Sequence, residues 1–394
     1  MSCLVLGMNK LGLAMAADSA VSLRGSGKAY YHADKIFPLG IGAPVAIGMF
    51  GSADFLGVPW DLVIKTWTAA NASRRFATLR EYSTDFLGFL DAAHPLFIPE
   101  KERENVLFLV RDYWRSLLRE PFDTHGTDTR LWTEEGWELL REKLRADEEY
   151  WTYGHMEHLP ATFGQDVRGA FAGELTSELE SLFDGVLPPD DIRLALHDLV
   201  ERMYSQAWIS RYSSSGLIFF GFGEEEFYPG YIHLQVGERA LGKARWIERA
   251  AFTIDLERDG SIRGFAQTDT VDSFLLGVPH RMLDTLRSRI HTRTSALEAV
   301  LPEEHRHHVN PMELQAEIVD GFAEELREEF QNPMLSAVAA LPTPELAVLT
   351  RTLVSLTAFR SQLAADETGT VGGDIRVGMV TKFEGFRWVE EQHD

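Results

Sequence analysis

The chain has one cysteine, Cys3, so it can form no internal disulfide and no cysteine-based metal cluster, which suits a reducing compartment. It has no apolar run approaching the roughly 18 residues of a membrane span. Its first twenty residues lack a basic start followed by an uninterrupted apolar stretch, so the reading is a soluble, cytoplasmic protein with no membrane partner. Positive charge is scarce: 38 Lys and Arg stand against 60 Asp and Glu, a net charge of −22, which argues against nucleic acid as a partner. No glycine-rich pattern opens a helix in the way a phosphate cradle requires, so no nucleotide cofactor is expected. The histidines of Glu303-Glu304-His305-Arg306-His307-His308 are too tightly spaced around Arg306 for a metal site and read as a solvated loop. Neither a cofactor nor a metal is expected.

What is present is ordinary core-forming material, 45% hydrophobic over 394 residues. Cys3–Met8 and Leu13–Ala17 are short apolar runs split by Asn9, Lys10 and Gly12, as two strands around a tight turn would be. Tyr30–Leu39 and Pro44–Met49 flank a second turn, and Gly51-Ser52-Ala53-Asp54 then breaks the strand pattern ahead of a helix from Phe55. Residues 57–210 change character. Val106, Val110, Tyr113 and Leu117 recur at helical spacing, and Trp114, Trp132, Trp137 and Trp151 supply large apolar area for a core.

Strand character returns at Gly216–Phe222, Tyr231–Val236 and Ala250–Leu256. The last is expected to pair with Ile262–Gln267 across Asp259-Gly260, since Asp-Gly is a strong hairpin signal. Ser273–Leu363 reads as helical, with Leu314, Ile318, Phe322, Leu326 and Phe330 as one apolar stripe expected in the core. Ile375–Thr381 and Phe386–Val389 close the chain as a strand pair. Strand pairs, helices, a meander, helices and strands in that order predict two sheets between helical layers.

The chemistry-bearing residues cluster at the start. Removal of Met1 would leave Ser2 with a hydroxyl nucleophile and a free α-amine, a base with an ordinary pKa near ~8 on the same residue. Asp18 follows sixteen positions later and Lys35 lies beyond. Cys3 is the competing nucleophile, but it would need cleavage after Ser2 and reads as a buried strand residue. Glu224-Glu225-Glu226 reads as a solvated turn.

Ala16-Ala17-Asp18-Ser19, Asp34-Lys35-Ile36 and Gly51-Ser52-Ala53-Asp54, in that order, resemble the opening of proteasome β-type subunits, which are N-terminal-nucleophile hydrolases. Val371-Gly372-Gly373 before the last strands is similar to the glycine pair of the same fold. The resemblance implies an α+β fold, a four-layer αββα sandwich of two mainly antiparallel sheets. It places the core at residues 1–56 and 211–394, with 57–210 a mostly helical segment holding core helices and an enlarged insertion.

It also implies roles by position. The terminal nucleophile falls on Ser2, the lysine that tunes it on Lys35, and the aspartate that holds the lysine on Asp18. The backbone oxyanion donor falls on Phe50, with Gly51 the second choice. The supporting aspartate and serine of the closing glycine region fall on Thr368 and Val371, with Asp366 as the nearby carboxylate, and a central-strand serine meets Gly221-Phe222-Gly223-Glu224. The implied activity is cleavage of peptide or other amide bonds, in a homo-oligomer that works as a ring. The alternative is a non-catalytic scaffold or binding subunit that uses its helical insertion as an interaction surface.

Overall fold

The computed structural model describes residues 2–22, 29–30, 33–40, 42–123, 133–210, 213–300, 310–363 and 371–390. The chain opens with β1 (Cys3–Asn9), β2 (Gly12–Asp18), β3 (Val21–Ser22), β4 (Ala29–Tyr30), β5 (Ile36–Pro38) and β6 (Val45–Gly51). The short strands β7 (Asp54–Phe55) and β8 (Val58–Pro59) precede α1 (Trp60–Ala70) and α2 (Leu79–Asp91). A helical block follows: α3 (Pro99–Asp123), α4 (Glu134–Tyr150), α5 (Phe163–Ala170), α6 (Ala172–Leu182) and α7 (Asp190–Ser205). Then come β9 (Ser215–Gly221), β10 (Gly230–Ala240), β11 (Lys243–Thr253) and β12 (Gly260–Ala266). The second helical run is α8 (Asp269–Leu276), α9 (His280–Val300), α10 (Pro311–Leu326), a π-helical turn (Arg327–Gln331), α11 (Asn332–Ala339) and α12 (Thr343–Leu363). β13 (Ile375–Thr381) and β14 (Gly385–Trp388) end the described chain.

Two five-stranded antiparallel sheets stack between helices. One has the order β12-β1-β2-β13-β14, the other β11-β10-β9-β6-β5. β1 is buried along its whole length because each face has its own partner layer. Leu4, Leu6 and Met8 join Met15, Ile218 and Phe220 between the sheets, while Cys3 and Val5 pack outward with Leu346, Leu353 and Val354 of α12. Across the other sheet Val45, Ile47 and Met49 face Trp60, Ile64 and Phe86 of α1 and α2. The α+β, four-layer αββα class expected from the sequence is therefore the observed one.

The helical block α3–α7 builds a further core of its own around Val106, Val110, Trp114, Leu140, Leu175 and Leu196. The predicted α3 spacing is the buried one at Val106, Val110 and Leu117, with Tyr113 at its edge. Trp114, Trp137 and Trp151 are buried as expected, and Trp132 lies outside the described residues.

Three expectations are corrected. The helix after Gly51 starts at Trp60 rather than Phe55, because Asp54–Phe55 and Val58–Pro59 form a small hairpin first. Asp259-Gly260 is no hairpin: β11 pairs with β10 and β12 with β1, so the segment crosses from one sheet to the other. Asp255 caps that crossing by accepting from the Glu257 and Arg258 N–H groups. A Cβ at 260 would lie 2.4 Å from the Leu335 carbonyl oxygen, so the glycine serves close packing under α11 rather than a turn. Finally, Leu314, Ile318, Phe322 and Phe330 are exposed and only Leu326 of that stripe is buried. The apolar arc of α10 is wider than the contact it makes.

Candidate functional site

The sheet register brings the ends of four strands together. Cys3 at the start of β1 lies opposite Ala266 at the end of β12, and Asp18 at the end of β2 lies opposite Ile375 at the start of β13. Asp18 is 1% exposed and Lys35 5%. Asp18 Oδ1 accepts from Lys35 Nζ at 2.7 Å and from the Cys3 backbone N–H at 2.8 Å. That N–H belongs to the peptide formed with Ser2, so the Lys35 ammonium and the Ser2–Cys3 peptide share one oxygen of the Asp18 carboxylate. Asp18 Oδ2 accepts from the Gly372 N–H at 3.2 Å and the Ala20 N–H at 3.3 Å. The carboxylate thus collects one ammonium and three backbone donors in a dry environment, where charge-assisted bonds are strong.

Burial lowers the Lys35 pKa from its ordinary 10.5, and the Asp18 charge and hydrogen bond oppose that shift. Burial also pushes the Cys3 thiol up to about 12, ahead of the opposing hydrogen bond with Thr357. Its side chain faces α12 and stays protonated at neutral pH, which removes it as a nucleophile. Ser2 has the opposite parity on the strand from Cys3, that of Leu4, and is half-buried. Its carbonyl oxygen accepts from the Gln267 N–H at 3.1 Å.

Lys35 is held from the second sheet. The Met49 N–H donates to the Lys35 carbonyl at 2.8 Å, which fixes the end of β6 against the lysine. Backbone groups alternate sides along a strand. The Ser52 N–H donates to Ser214 O on the β9 side at 3.0 Å, so the Phe50 N–H faces β9 too. The Gly51 N–H faces the Lys35 side, with that of Met49. Gly51 has φ +91°, and a Cβ there would lie 2.5 Å from Ser214 O, so only glycine fits. The Ser215 hydroxyl braces this end, accepting from Trp60 Nε1 at 2.7 Å and donating to Ser52 O at 3.0 Å.

The Phe50 ring lies over Gly216, where a Cβ would come within 2.2 Å of it, and near His233 and Phe265, with centroids 5.5 and 6.4 Å away. Sequence reasoning missed His233, Gln267 and Ala266. Ala266, opposite Cys3, holds a left-handed φ of 66°, uncommon for a residue with a side chain. None of the three has a residue-type signal, since two act through backbone and His233 sits in an apolar strand. Gly221–Glu224 is misplaced by the positional carry-over: Gly221 pairs with Val45, six residues and about 20 Å along β6 from Gly51. Val371 is buried and apolar in the outer core, while Asp366, Thr368 and the His305–His308 cluster lie outside the described residues. Among the described residues no group of three or more His, Cys, Asp or Glu is placed to hold a metal. No described helix is long and apolar enough to cross a membrane.

His233 gives a test of this environment. Burial first and Arg249 second lower its pKa from 6.5 to about 4. Between those values the folded imidazole binds fewer protons than the unfolded one, so stability is complete above pH 6.5 and is lost as pH falls toward 4, by at most about 3 kcal/mol. Urea midpoints at pH 7 and pH 4.5 are expected to differ less in His233→Phe than in the natural chain. Equal differences would show that His233 does not carry the acid sensitivity.

No protein-family model matches the chain, and none of the curated proteins matches it. Among solved structures it is similar to Anbu (ancestral beta-subunit) from Yersinia bercovieri, at 11% identity over 100% of this chain and 89% of that one, with a TM-score of 0.29. It is also similar to Anbu from Hyphomicrobium sp. strain MC1 (8% identity, 99% and 86% covered, TM-score 0.31) and to a Gly-1 mutant of Anbu from that strain (9%, 100% and 86%, 0.30). The assignment to proteasome β-type subunits is corrected accordingly. No family model includes the chain, and the similar structures are Anbu proteins at TM-scores too low to carry any chemistry across.

Proposed function

We propose that this chain is an N-terminal-nucleophile amide hydrolase in which Ser2, freed by removal of Met1, attacks a peptide or other amide carbonyl. The observation that carries the reading is the buried Asp18 carboxylate, which holds Lys35 Nζ at 2.7 Å and the peptide N–H leaving Ser2 at 2.8 Å. The α-amine of Ser2 takes the Oγ proton as Oγ bonds to the carbonyl carbon. The C–N bond then breaks, the proton passes to the departing amine, and water cleaves the resulting ester to restore Ser2. Lys35, with a lowered pKa and two N–H bonds beyond the one given to Asp18, stabilises the Oγ as it loses its proton. The Gly51 amide, on the lysine side of β6, is the better placed oxyanion donor, and the Phe50 amide is committed to β9.

A non-catalytic scaffold is the second reading, favoured by two observations. Val371 supplies no polar group near Gly372, and the Phe50 ring narrows the space between the sheets. One experiment separates the readings. The intact mass is expected to lack Met1, and an epoxyketone, which needs the hydroxyl and the free amine together, is expected to add once per chain and not at all in Ser2→Ala. Complete retention of Met1, or labelling that survives Ser2→Ala, would sink the hydrolase.

A further inference from the structure

The helices α9 and α10 form an antiparallel hairpin inserted between β12 and β13, and its two faces are unequal. Its seam is closed by Leu283 and Thr294 of α9 and by Val319, Ala323 and Leu326 of α10, with Arg287 bound to Asp320 at 2.9 Å. At about 100° per residue, Ile318, Phe322 and Leu314 lie roughly 100° round α10 from that seam, and Met282 and Leu297 lie roughly 80° round α9. Because the helices run in opposite directions, both rows open on the same side. Ile318 is 45% exposed, Phe322 41% and Leu297 51%. Gly321 borders this face, and a Cβ there would meet nothing in the chain, so no contact within the chain accounts for a residue that is costly in a helix interior.

Charge says what covers the face. α9 carries Arg281, Arg287, Arg289 and Arg293 against Asp284 and Glu298, whereas α10 carries Glu313, Glu317, Asp320, Glu324 and Glu325 with no Lys or Arg. Arg289 and Arg293 on the α9 side, and Glu317 and Glu325 on the α10 side, are exposed and make no ion pair among the described residues. We infer that a second copy of this chain packs its own α9–α10 hairpin here, about a two-fold axis parallel to the helices. That axis lays the partner's basic α9 over the acidic α10 and buries the two apolar rows as a four-helix bundle. The other two-fold arrangement sets α9 on α9, arginine facing arginine, and is disfavoured.

Sedimentation equilibrium at low salt tests this on the full chain. The natural protein is expected at twice the 44.4 kDa of one chain or a multiple of that, and Ile318→Glu/Phe322→Glu is expected to halve the mass. Arg289→Glu/Arg293→Glu is expected to weaken association at least tenfold, and adding Glu317→Arg/Glu325→Arg to it to restore association. All altered residues are exposed, so circular dichroism should stay unchanged. A natural protein of one chain, a mass indifferent to Ile318→Glu/Phe322→Glu, or a charge swap that rescues nothing would each overturn the interface. The second outcome would direct attention to the exposed row Val348, Leu356 and Phe359 of α12.

Discussion

Asp18→Ala is expected to lower the unfolding free energy by about 3–5 kcal/mol, the cost of breaking a buried ion pair from one side. The substitution strands the Lys35 ammonium in a 5%-exposed position and removes the acceptor for Cys3, Ala20 and Gly372 N–H groups. Asp18→Ala/Lys35→Met is expected to be more stable than Asp18→Ala alone, because the uncompensated charge goes while the three orphaned N–H groups remain. Alkaline pH should help the single variant. The folded lysine already binds fewer protons than the unfolded one between its lowered pKa and 10.5, and losing Asp18 removes what opposed that lowering. Unfolding free energy must therefore rise with pH in that window, more steeply in Asp18→Ala than in the natural chain. Urea titrations at pH 7, 8.5 and 10 measure this. A loss below about 1 kcal/mol at pH 7 would mean that the pair is solvated and the site open. Under the hydrolase reading neither variant is labelled by the epoxyketone, so restored stability without restored labelling separates the chemical role of the pair from its structural one.

The site was readable in the sequence to the extent that it depends on local geometry. Ser2 and Asp18 are sixteen residues apart because β1 and β2 form one hairpin with Leu4 opposite Ala17, a register that the two apolar runs and the Asn9–Gly12 turn dictate. Lys35, immediately before β5, could be named only through the resemblance, which carries a lysine onto that position. What the sequence hid are long-range placements. Gln267 reaches Ser2 from β12 through its backbone, which any residue could do, and Asp259-Gly260 carries a hairpin signal where the chain in fact changes sheets. The true hairpin is Leu241-Gly242, both at positive φ, and leucine there masks the turn. The α10 stripe reads as core in the sequence because periodicity reports an apolar face without saying whether this chain covers it.

Arg245 ties the C-terminal end of the helical block to the sheets, and its loss is the second large effect. Arg245 is fully buried on β11 and pairs through Nη1 with Glu238 of β10, itself 1% exposed in its side chain. Nη2 donates to the carbonyl oxygens of Met203, of Gln206 at 3.2 Å and of Trp208 at 2.7 Å. The guanidinium also lies 4.9 Å from the centre of the Tyr204 ring. One planar fork thus closes the C-terminal end of α7 onto the sheet, and a lysine could not reach the carboxylate and three carbonyls from a single nitrogen. Arg245→Ala is expected to cost about 3–5 kcal/mol, since Glu238 would remain buried and unpaired, and Arg245→Lys is expected to recover only part of that. Arg245→Met/Glu238→Leu, which removes both charges, should regain most of the stability if the pair is chiefly a specificity device. Hydrogen exchange locates the damage. Faster exchange at residues 200–208 with unchanged protection in β1 and β2 is the expected pattern, because the hydrophobic core of α3–α7 is separate from the one beneath Asp18. Uniform loss of protection across both would instead make Arg245 part of the global fold and join the two cores into one cooperative unit.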